Sequence, residues 1–492
     1  MKAVLLALDQ GSSSSRAVAW SAGGRVLARA QAKVAARYPR AGWVEHDALE
    51  LARSQERTLD AVLARLPKGA PVAALGATSQ RSTVVLWDAR TGKPVAPAPS
   101  WQDGRAAEVA GALQDRQAWA HERTGLYLTP YYSAPKIRWL LDHVPAAARA
   151  ADAGALRIGP VATYVLWRLS GGELFISDPT LAQRTLLFNL RTSDWDLELL
   201  KLFGVDRAWL PAIVPSAGEL GVLRRGGRDL PVRALLGDQQ AAAAGLGAAR
   251  AGAGVLNYGT GAFFLLHTGA EQHRVAGLLT SVAWRKAGRP CEFFLEGTVH
   301  AAGTSFDWLK ERLRLLDSVH DLDAAMRRSA HRVLALPAIG GLGAPRWDYR
   351  TRTAFVGLSS QSSRDDLVRG VAEGIAFLLN DIVAACRAAG LPIRQVRASG
   401  GLSRSSRLLQ FQADLLGLGI DVAGEREATA LGTAMMAAEA AGVRFTPRAS
   451  KGASFAPKMS PAKAESLVKA WRLFVDAQQA LGRQLDPLGV FE

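Results

Sequence analysis

Cysteine is scarce in this chain of 492 residues, and the two that occur stand alone. Cys291 and Cys386 have no Cys-X-X-Cys spacing and no histidine-rich partner segment. This pattern argues against a zinc site and against a disulfide framework. We interpret both thiols as packing residues.

Long apolar runs and blocks of like charge are also missing. No window reaches the ~18 consecutive apolar residues of a membrane span, and the N-terminus leads into an apolar strand without a basic leader. We therefore expect a cytoplasmic protein with no membrane partner. The formal net charge is +16, carried mostly by single arginines among alanine, glycine and leucine. Such scattering disfavours nucleic acid as a partner, whereas a positive surface attracts anionic nucleotides.

The length exceeds what one hydrophobic core usually supports, so two or more domains are expected. Predicted strands alternate with predicted helices along the chain, which indicates an α/β fold. We find no low-complexity linker, and the domains are therefore expected to meet along a cleft. The sequence leaves the oligomeric state open and is compatible with a homo-oligomer.

The stretch LLALDQGSSSSRAVAW, Leu5–Trp20, has the pattern of a strand–turn–strand hairpin. Gly11 allows close backbone approach to a ligand, the serines offer hydroxyl groups, and Arg16 offers a planar cation for phosphate oxygens. Asp9, at the end of the first strand, is suited to a hydrated Mg²⁺, which needs only one or two carboxylates. An ordinary serine-rich hairpin with a structural aspartate is the alternative.

A second stretch, GVLNYGTGAFFLLHTG from Gly254, repeats this layout with Thr260 and Gly261 in the turn. Two such hairpins, one near the start of each half, suggest an internally duplicated protein. Apolar periodicity predicts further elements around them. The strands are expected at Val26–Ala35, Val72–Thr78, Val232–Leu236 and Val396–Ser399, and the helices at Ala48–Leu66, Gly303–Leu316, Arg364–Ala389 and Arg407–Leu416.

Asp238 follows the predicted strand Val232–Leu236 and precedes an alanine-rich helix. A carboxylate held at the end of a buried strand is suited to act as a general base. The alternative is that Asp238 is the N-cap of the helix, and the two roles are compatible.

An ordered series of motifs covers almost the whole chain. It comprises LDQGSSSSRA (Leu8–Ala17), GWVEHD (Gly42–Asp47), SQR (Ser79–Arg81), WQD (Trp101–Asp103), PYYSAPKIRWLLDH (Pro130–His143), QRTLLFN (Gln183–Asn189), GDQQAA (Gly237–Ala242), YGTGAF (Tyr258–Phe263), GLGAPRWD (Gly341–Asp348) and QFQADLLG (Gln410–Gly417). The series resembles the FGGY family of carbohydrate kinases, and within it the glycerol kinases. The resemblance implies a duplicated, two-lobed actin/hexokinase-like (ribonuclease H-like) α/β fold with an interdomain cleft. Residues 1–246 would form the domain for the acceptor, the phosphate loop and the base, and residues 247–492 the nucleotide-binding domain.

The resemblance also implies an activity: ATP- and Mg²⁺-dependent phosphorylation of a hydroxyl of a small polyol or sugar. Asp238 would be the catalytic base and, with Asp9, would hold the metal. The implied nucleotide-binding residues are Ser12, Ser13, Ser14, Arg16, Thr260, Gly261, Gly303, Asp307, Gly400, Gly401 and Ser405. The implied acceptor-binding residues are Arg81, Ser82, Trp101, Tyr131, Asp238, Gln239 and Phe263. Plain turns for the glycines and core packing for the aromatic rings are the alternatives.

Ser82 departs from the glycerol kinase pattern, which has glutamate at this place after Gln-Arg. The substitution removes a charged acceptor of polyol hydrogen bonds, worth roughly 1.5–3 kcal/mol, and leaves Arg81 without the anion that this glutamate places beside the arginine. We therefore expect that glycerol is not the acceptor or is a poor one, and that a longer polyol, a ketose or an anionic sugar acid is used instead. Asp307 and Ser405 stand where glycerol kinases have glutamine and asparagine. A catalytically weakened ATP-binding sensor or regulator of the same fold is the competing hypothesis.

Overall fold

The computed structural model describes residues 3–424, 427–447 and 451–489. Within them the chain divides into two compact units. The first comprises Met1–Gly247, Thr280–Phe293 and Glu427–Ala449, and the second comprises Ala248–Leu279, Phe294–Arg426 and Ser450–Glu492. Two segments that follow residue 247 in the chain thus belong to the first compact unit.

The elements up to Gly247 all belong to the first unit. Its strands are β1 (Val4–Gln10), β2 (Ser14–Ser21), β3 (Val26–Lys33), β4 (Glu45–His46), β5 (Val72–Ser79), β6 (Val84–Asp88), β7 (Ala98–Pro99), β8 (Leu156–Pro160), β9 (Ile176–Ser177), β10 (Phe188–Asn189), β11 (Asp194–Trp195), β12 (Ala212–Ile213), β13 (Ala217–Arg225) and β14 (Arg228–Gly237). Its helices are α1 (Ala48–Leu63), α2 (Ala107–Gly111), α3 (Gln117–Thr124), α4 (Ser133–His143), α5 (Pro145–Asp152), α6 (Val161–Leu169), α7 (Pro179–Gln183), α8 (Leu197–Phe203) and α9 (Asp238–Gly245).

The rest of the described chain supplies a second set of elements. Its strands are β15 (Ala253–Tyr258), β16 (Ala262–Gly269), β17 (Leu279–Arg285), β18 (Cys291–Val299), β19 (Leu334–Leu336), β20 (Ala354–Val356), β21 (Gln395–Gly400), β22 (Ile420–Ala423) and β23 (Lys451–Phe455). Its helices are α10 (Gly303–Glu311), α11 (Leu322–Arg328), α12 (Arg364–Ala388), α13 (Ser406–Leu416), α14 (Ala428–Ala440) and α15 (Pro461–Leu485).

The main sheet of the first unit has the strand order β13-β14-β5-β1-β2-β3. Its central strand β1 is buried along its whole length, as its apolar sequence predicts. β5 runs parallel to both β1 and β14. The carboxyl ends of these three strands therefore lie at one edge, where Gln10 and Gly237 are both register partners of Ser79.

The opening hairpin is confirmed. β1 and β2 are antiparallel, with Asp9 opposite Arg16 and Gln10 opposite Ser15. The amide of Gly11 donates to the carbonyl oxygen of Ser14 at 2.9 Å, which closes the turn.

The sheet that includes the second hairpin has the order β17-β18-β16-β15-β21-β22-β23. β15 pairs antiparallel with β16 and parallel with β21, as β1 does with β2 and β5. β22 continues the parallel run and pairs antiparallel with β23, as β14 does with β13. The shared pairing pattern confirms the predicted internal duplication.

Helix α9 packs closely on α14 in the first unit, and glycine permits the approach. A Cβ atom on Gly432 would lie 1.8 Å from the carbonyl oxygen of Ala241, and one on Gly245 would lie 2.1 Å from that of Ala428. Because of these overlaps, a residue larger than glycine at either position would force the two helices apart. The contact fixes the position of α9 and of Asp238 at its start.

Some boundaries differ from the predictions. α10 ends at Glu311 instead of Leu316, and the left-handed φ of Arg314, 54°, is incompatible with continuing the helix. α1 begins as predicted after Asp47, whose carboxylate accepts from the amides of Leu49 and Glu50, but it ends at Leu63. The two cysteines are buried, in agreement with a packing role. Among the described residues, no helix is both long and apolar enough to cross a lipid bilayer.

Candidate active site

Asp238 is the first residue of α9, and Gly237 before it is the N-cap. The prediction that Asp238 could be the cap is therefore wrong. The amide of Gly237 donates to the Thr180 hydroxyl at 2.7 Å, which holds the end of β14. The Asp238 carboxylate accepts from the amide of Gln239 at 2.8 Å, and about a third of its side chain remains exposed.

Arg81 lies beside Asp238 and is almost fully buried. Its Nε is 3.8 Å from Asp238 Oδ1. Its Nη groups donate to the side-chain oxygens of Gln239 and Gln240, the latter at 3.4 Å. Asp238 thus supplies Arg81 with an anion from another strand end, although Ser82 supplies none. Burial raises the pKa of Asp238, and the positive charge of Arg81 opposes that rise.

Asp9 is a second carboxylate at this edge, and only 5% of its surface is exposed. Arg16 Nη1 lies 3.4 Å from its Oδ2. Burial raises the pKa of Asp9 to about 6, Arg16 opposes the rise, and the negative charge of Asp238 adds to it. Two carboxylates that repel each other in a desolvated place favour a cation between them.

This donor set fits Mg²⁺. Within residues 3–424, 427–447 and 451–489, no group of three or more His, Cys, Asp or Glu side chains could hold a metal ion. A site for zinc or calcium held by protein ligands alone would need such a group. Mg²⁺ is usually held by one or two carboxylates together with waters and substrate phosphates, which Asp9 and Asp238 would satisfy.

The three serines proposed for phosphate differ in accessibility. Ser13 is exposed, Ser12 is partly exposed, and Ser14 is buried in β2. The carbonyl of Ser13 accepts from the amide of Val34 at 2.9 Å, which ties the turn to the segment after β3.

Ser82 has an unusual backbone and an unused hydroxyl. Its φ is 63°, in the left-handed region, and it is 3% exposed. Its Oγ is buried and has no hydrogen-bond partner among the residues that the structure describes. Such a group costs free energy unless a ligand or water satisfies it.

Trp101 and Tyr131 lie close together, with ring centroids 5.6 Å apart. Both rings are only partly buried, which disagrees with a purely core-packing role. The amide of Trp101 donates to the Thr83 hydroxyl at 3.1 Å. The segments after β5 and β7 are thereby joined.

In the second unit, the turn between β15 and β16 packs against the start of α10. The carbonyls of Gly259 and Thr260 accept from the amides of Ala302, Gly303 and Thr304 at 3.0–3.1 Å. A Cβ on Gly303 would lie 2.7 Å from the carbonyl oxygen of Gly259, and one on Gly261 would lie 2.7 Å from that of Val299. These two glycines are therefore required by close backbone approach.

The other predicted nucleotide residues and Phe263 also lie in the second unit. Phe263 is on β16, opposite Asn257, and is partly exposed. Asp307 is exposed on α10. Ser405 is the N-cap of α13, and its hydroxyl also donates to the Asp323 carboxylate. These hydrogen bonds within the protein explain a serine at this position without any contact to a nucleotide.

Gly400 and Gly401 at the end of β21 allow a matched test. Gly400 has a φ of 95°, and its Cβ would lie 2.3 Å from the carbonyl oxygen of Tyr258, whereas a Cβ on Gly401 meets nothing within 4 Å. We expect Gly400→Ala to destabilise the fold by about 1–3 kcal/mol and to weaken ATP binding, and Gly401→Ala to do much less to stability. Thermal unfolding and ATP titration of both variants measure this, and equal stability of the two would contradict it.

Sequence reasoning missed several residues that hold the first unit's site together. Thr180 fixes Gly237, Gln240 accepts from Arg81, and Lys136 lies fully buried beneath the segments that carry Ser82, Trp101 and Tyr131. Lys136 lies in the motif PYYSAPKIRWLLDH, where a lysine among apolar residues could have indicated a buried, hydrogen-bonded ammonium group.

Comparison with known proteins identifies the family of the chain. The family model "FGGY family of carbohydrate kinases, N-terminal domain" matches residues 4–245, and the corresponding C-terminal model matches residues 254–441. Glycerol kinases of Alkalilimnicola ehrlichii and Thermus brockianus are each 41% identical, over 95% and 96% of this chain and 97% and 98% of theirs.

Solved structures give the same result for the fold. A glycerol kinase from Plasmodium falciparum with ADP superposes with a TM-score of 0.89 at 27% identity, covering 97% of this chain and 98% of that one. A xylulose kinase from Rhodospirillum rubrum superposes with a TM-score of 0.85 at 23% identity, covering 99% of both chains, which bears on the fold alone. The fold is the two-domain actin/hexokinase-like fold, and the chain belongs to the FGGY family of carbohydrate kinases.

Proposed function

We propose that this protein transfers the γ-phosphoryl group of ATP to a hydroxyl of a small polyol or sugar, and that glycerol is not its preferred acceptor. One observation carries the proposal. Three adjacent parallel strands each have a charged residue at the carboxyl end or shortly after it, namely Asp9, Arg81 and Asp238. Phosphoryl transfer needs a charge clamp and a positioned base, and this edge offers groups for both.

Asp238 is the proposed base. It would accept the proton of the attacking hydroxyl as the new O–P bond forms and the bond from the γ-phosphorus to the bridging oxygen of ADP breaks. Burial raises its pKa, so the carboxylate is a stronger base than one in water. Arg81, 3.8 Å away, keeps the carboxylate ionised and fixes its orientation, and Gln239 would bind a further acceptor hydroxyl.

Asp9 and Asp238 would hold Mg²⁺. A Mg²⁺ ion held by these carboxylates would supply positive charge that offsets the negative charge developing during phosphoryl transfer. Ser12, Ser13, Ser14 and Arg16 would donate to the phosphates from the first unit. Arg16 is suited to this because it is 38% exposed while lying beside Asp9.

The second unit has its own proposed nucleotide-binding residues. Thr260 and Gly261 would bind phosphate, and Gly303, Gly400 and Gly401 would pack beside the nucleoside. Close backbone packing of the turn on α10 supports this assignment. For Asp307 and Ser405 the support is weaker, because Asp307 is exposed and the hydroxyl of Ser405 is already bonded within the protein.

The proposed acceptor-binding residues of the first unit are Arg81, Ser82, Trp101 and Tyr131, and that of the second unit is Phe263. Aromatic faces pack against the carbon chain of a polyol, and polar groups bind its hydroxyls. Ser82 offers a small neutral hydroxyl where glycerol kinases have a carboxylate. The proposed acceptor is therefore a longer polyol, a ketose or a sugar acid.

Acceptor-stimulated ADP release tests the activity. The purified protein with Mg²⁺ and ATP is assayed with glycerol, erythritol, ribitol, ribulose and gluconate in turn. We expect at least one acceptor to raise ADP release well above the rate with ATP alone. ATP binding without stimulation by any of them would instead favour the sensor hypothesis.

A further inference from the structure

Lys136 is a fully buried lysine in the first turn of α4. Its Nζ donates to three main-chain carbonyl oxygens: that of Ser100 at 2.6 Å, that of Tyr131 at 2.8 Å and that of Ser82 at 3.3 Å. A lysine ammonium has three N–H donors. Each donor therefore has its own acceptor.

The three carbonyls come from three separate segments of the first unit. Ser82 follows β5, Ser100 follows β7, and Tyr131 precedes α4. Burying an ammonium group is costly unless it is fully hydrogen-bonded, and burial lowers the pKa of Lys136 to about 7, with the nearby Asp103 carboxylate opposing that shift. The three hydrogen bonds offset the cost of burying the Lys136 ammonium group. They also hold the three segments in one arrangement.

The same three segments carry the residues proposed to contact the acceptor. Ser82 and Tyr131 are themselves bound through their carbonyls, and Trp101 follows Ser100 directly. Ser133, also in the first turn of α4, donates its hydroxyl to the Ser82 carbonyl at 3.2 Å. The start of α4 therefore constrains the left-handed backbone of Ser82 and the spacing of the two aromatic rings.

We propose that Lys136 is a positioning residue that sets the geometry of the acceptor pocket by bonding the carbonyls of Ser82, Ser100 and Tyr131. It touches no reacting atom. The proposal rests on the function proposed above for these segments.

Lys136→Met tests it, because methionine fills similar space without donors. We expect the KM for the best acceptor of the panel to rise about tenfold or more, as the loss of charge-assisted hydrogen bonds implies. The KM for ATP should stay within about twofold, since no nucleotide group depends on these bonds. Lys136→Arg keeps the charge but replaces a compact ammonium with a planar guanidinium of different donor geometry, so an intermediate acceptor KM is expected.

Leu140→Ala is the matched control for general destabilisation. Leu140 is buried in the same helix, and its truncation should lower the thermal midpoint while leaving the acceptor KM near that of the wild type. If Lys136→Met changed the KM for acceptor no more than Leu140→Ala does, or changed both substrates' KM values equally, the positioning role would be wrong.

Hydrogen exchange gives a readout that does not need turnover. The Trp101 amide is bonded to Thr83, and the Asp103 amide to the carbonyl of Ser100 at 3.0 Å. In Lys136→Met we expect these amides to exchange at least about tenfold faster, with no such change in Leu140→Ala; unchanged exchange would overturn the proposal. If the wild type phosphorylates no acceptor, the proposed function fails, while exchange still decides whether Lys136 orders the three segments.

Discussion

Asp238→Asn is expected to lower acceptor-stimulated turnover by about 10²–10⁴-fold, the usual contribution of a positioned general base. The amide keeps the shape of the side chain but cannot accept the proton of the attacking hydroxyl. The measurement is steady-state ADP release at saturating ATP and acceptor, with ATP binding followed separately by calorimetry. The thermal midpoint is recorded as well, because the change removes a partly desolvated charge but also leaves the buried Arg81 without the anion beside it.

Asp229→Asn is the matched control for this variant. Asp229 lies on the same strand, β14, and its side chain is about three-quarters exposed. The same chemical change there should leave turnover and stability near wild-type values. An Asp238→Asn protein that turns over as fast as Asp229→Asn would exclude Asp238 as the base.

Ser82→Glu is expected to shift the acceptor preference towards glycerol. A carboxylate at this position would restore a charged hydrogen-bond acceptor worth roughly 1.5–3 kcal/mol, so kcat/KM for glycerol should rise about tenfold or more. The kcat/KM for a longer acceptor should fall, because the larger side chain occupies space that serine leaves. Both constants are measured on the same preparation of each variant.

Ser82→Gln separates charge from size. Glutamine has nearly the volume of glutamate and must adopt the same left-handed backbone, whose φ is 63° in the wild type. We expect it to reduce use of the longer acceptor without the gain on glycerol. An equal rise in kcat/KM for glycerol in both variants would show that the charge at this position does not determine the choice of acceptor.

Much of the first sheet was predictable because local patterns and tertiary packing agree there. The apolar run of β1, the small residues of the turn and the apolar run of β2 predict a hairpin, and the structure contains one. The general position of Asp238 at a strand end was also predictable. Its partner was not, because Arg81 reaches it across the sheet edge from a segment far away in sequence.

Other features depend on contacts that no local pattern encodes. β13 was not predicted, since its exposed and buried residues do not alternate cleanly and it is defined by pairing with β14. Helix α14 belongs to the first unit because it packs on α9 and on strands β1, β5 and β14, and no local sequence pattern predicts these contacts. Lys136 is similar: its role depends on three carbonyls brought together only by the fold.

Competition among acceptors tests the central claim most directly. The wild-type protein is given Mg²⁺, limiting ATP and an equimolar mixture of glycerol, erythritol, ribitol, ribulose and gluconate, and the phosphorylated products are quantified by mass spectrometry. Because competing substrates are consumed in proportion to kcat/KM, the product ratio gives the preference in a single reaction. We predict phosphorylated products dominated by an acceptor other than glycerol. A mixture dominated by glycerol phosphate would contradict the role assigned to Ser82, and the absence of any phosphorylated acceptor would contradict the proposed activity itself.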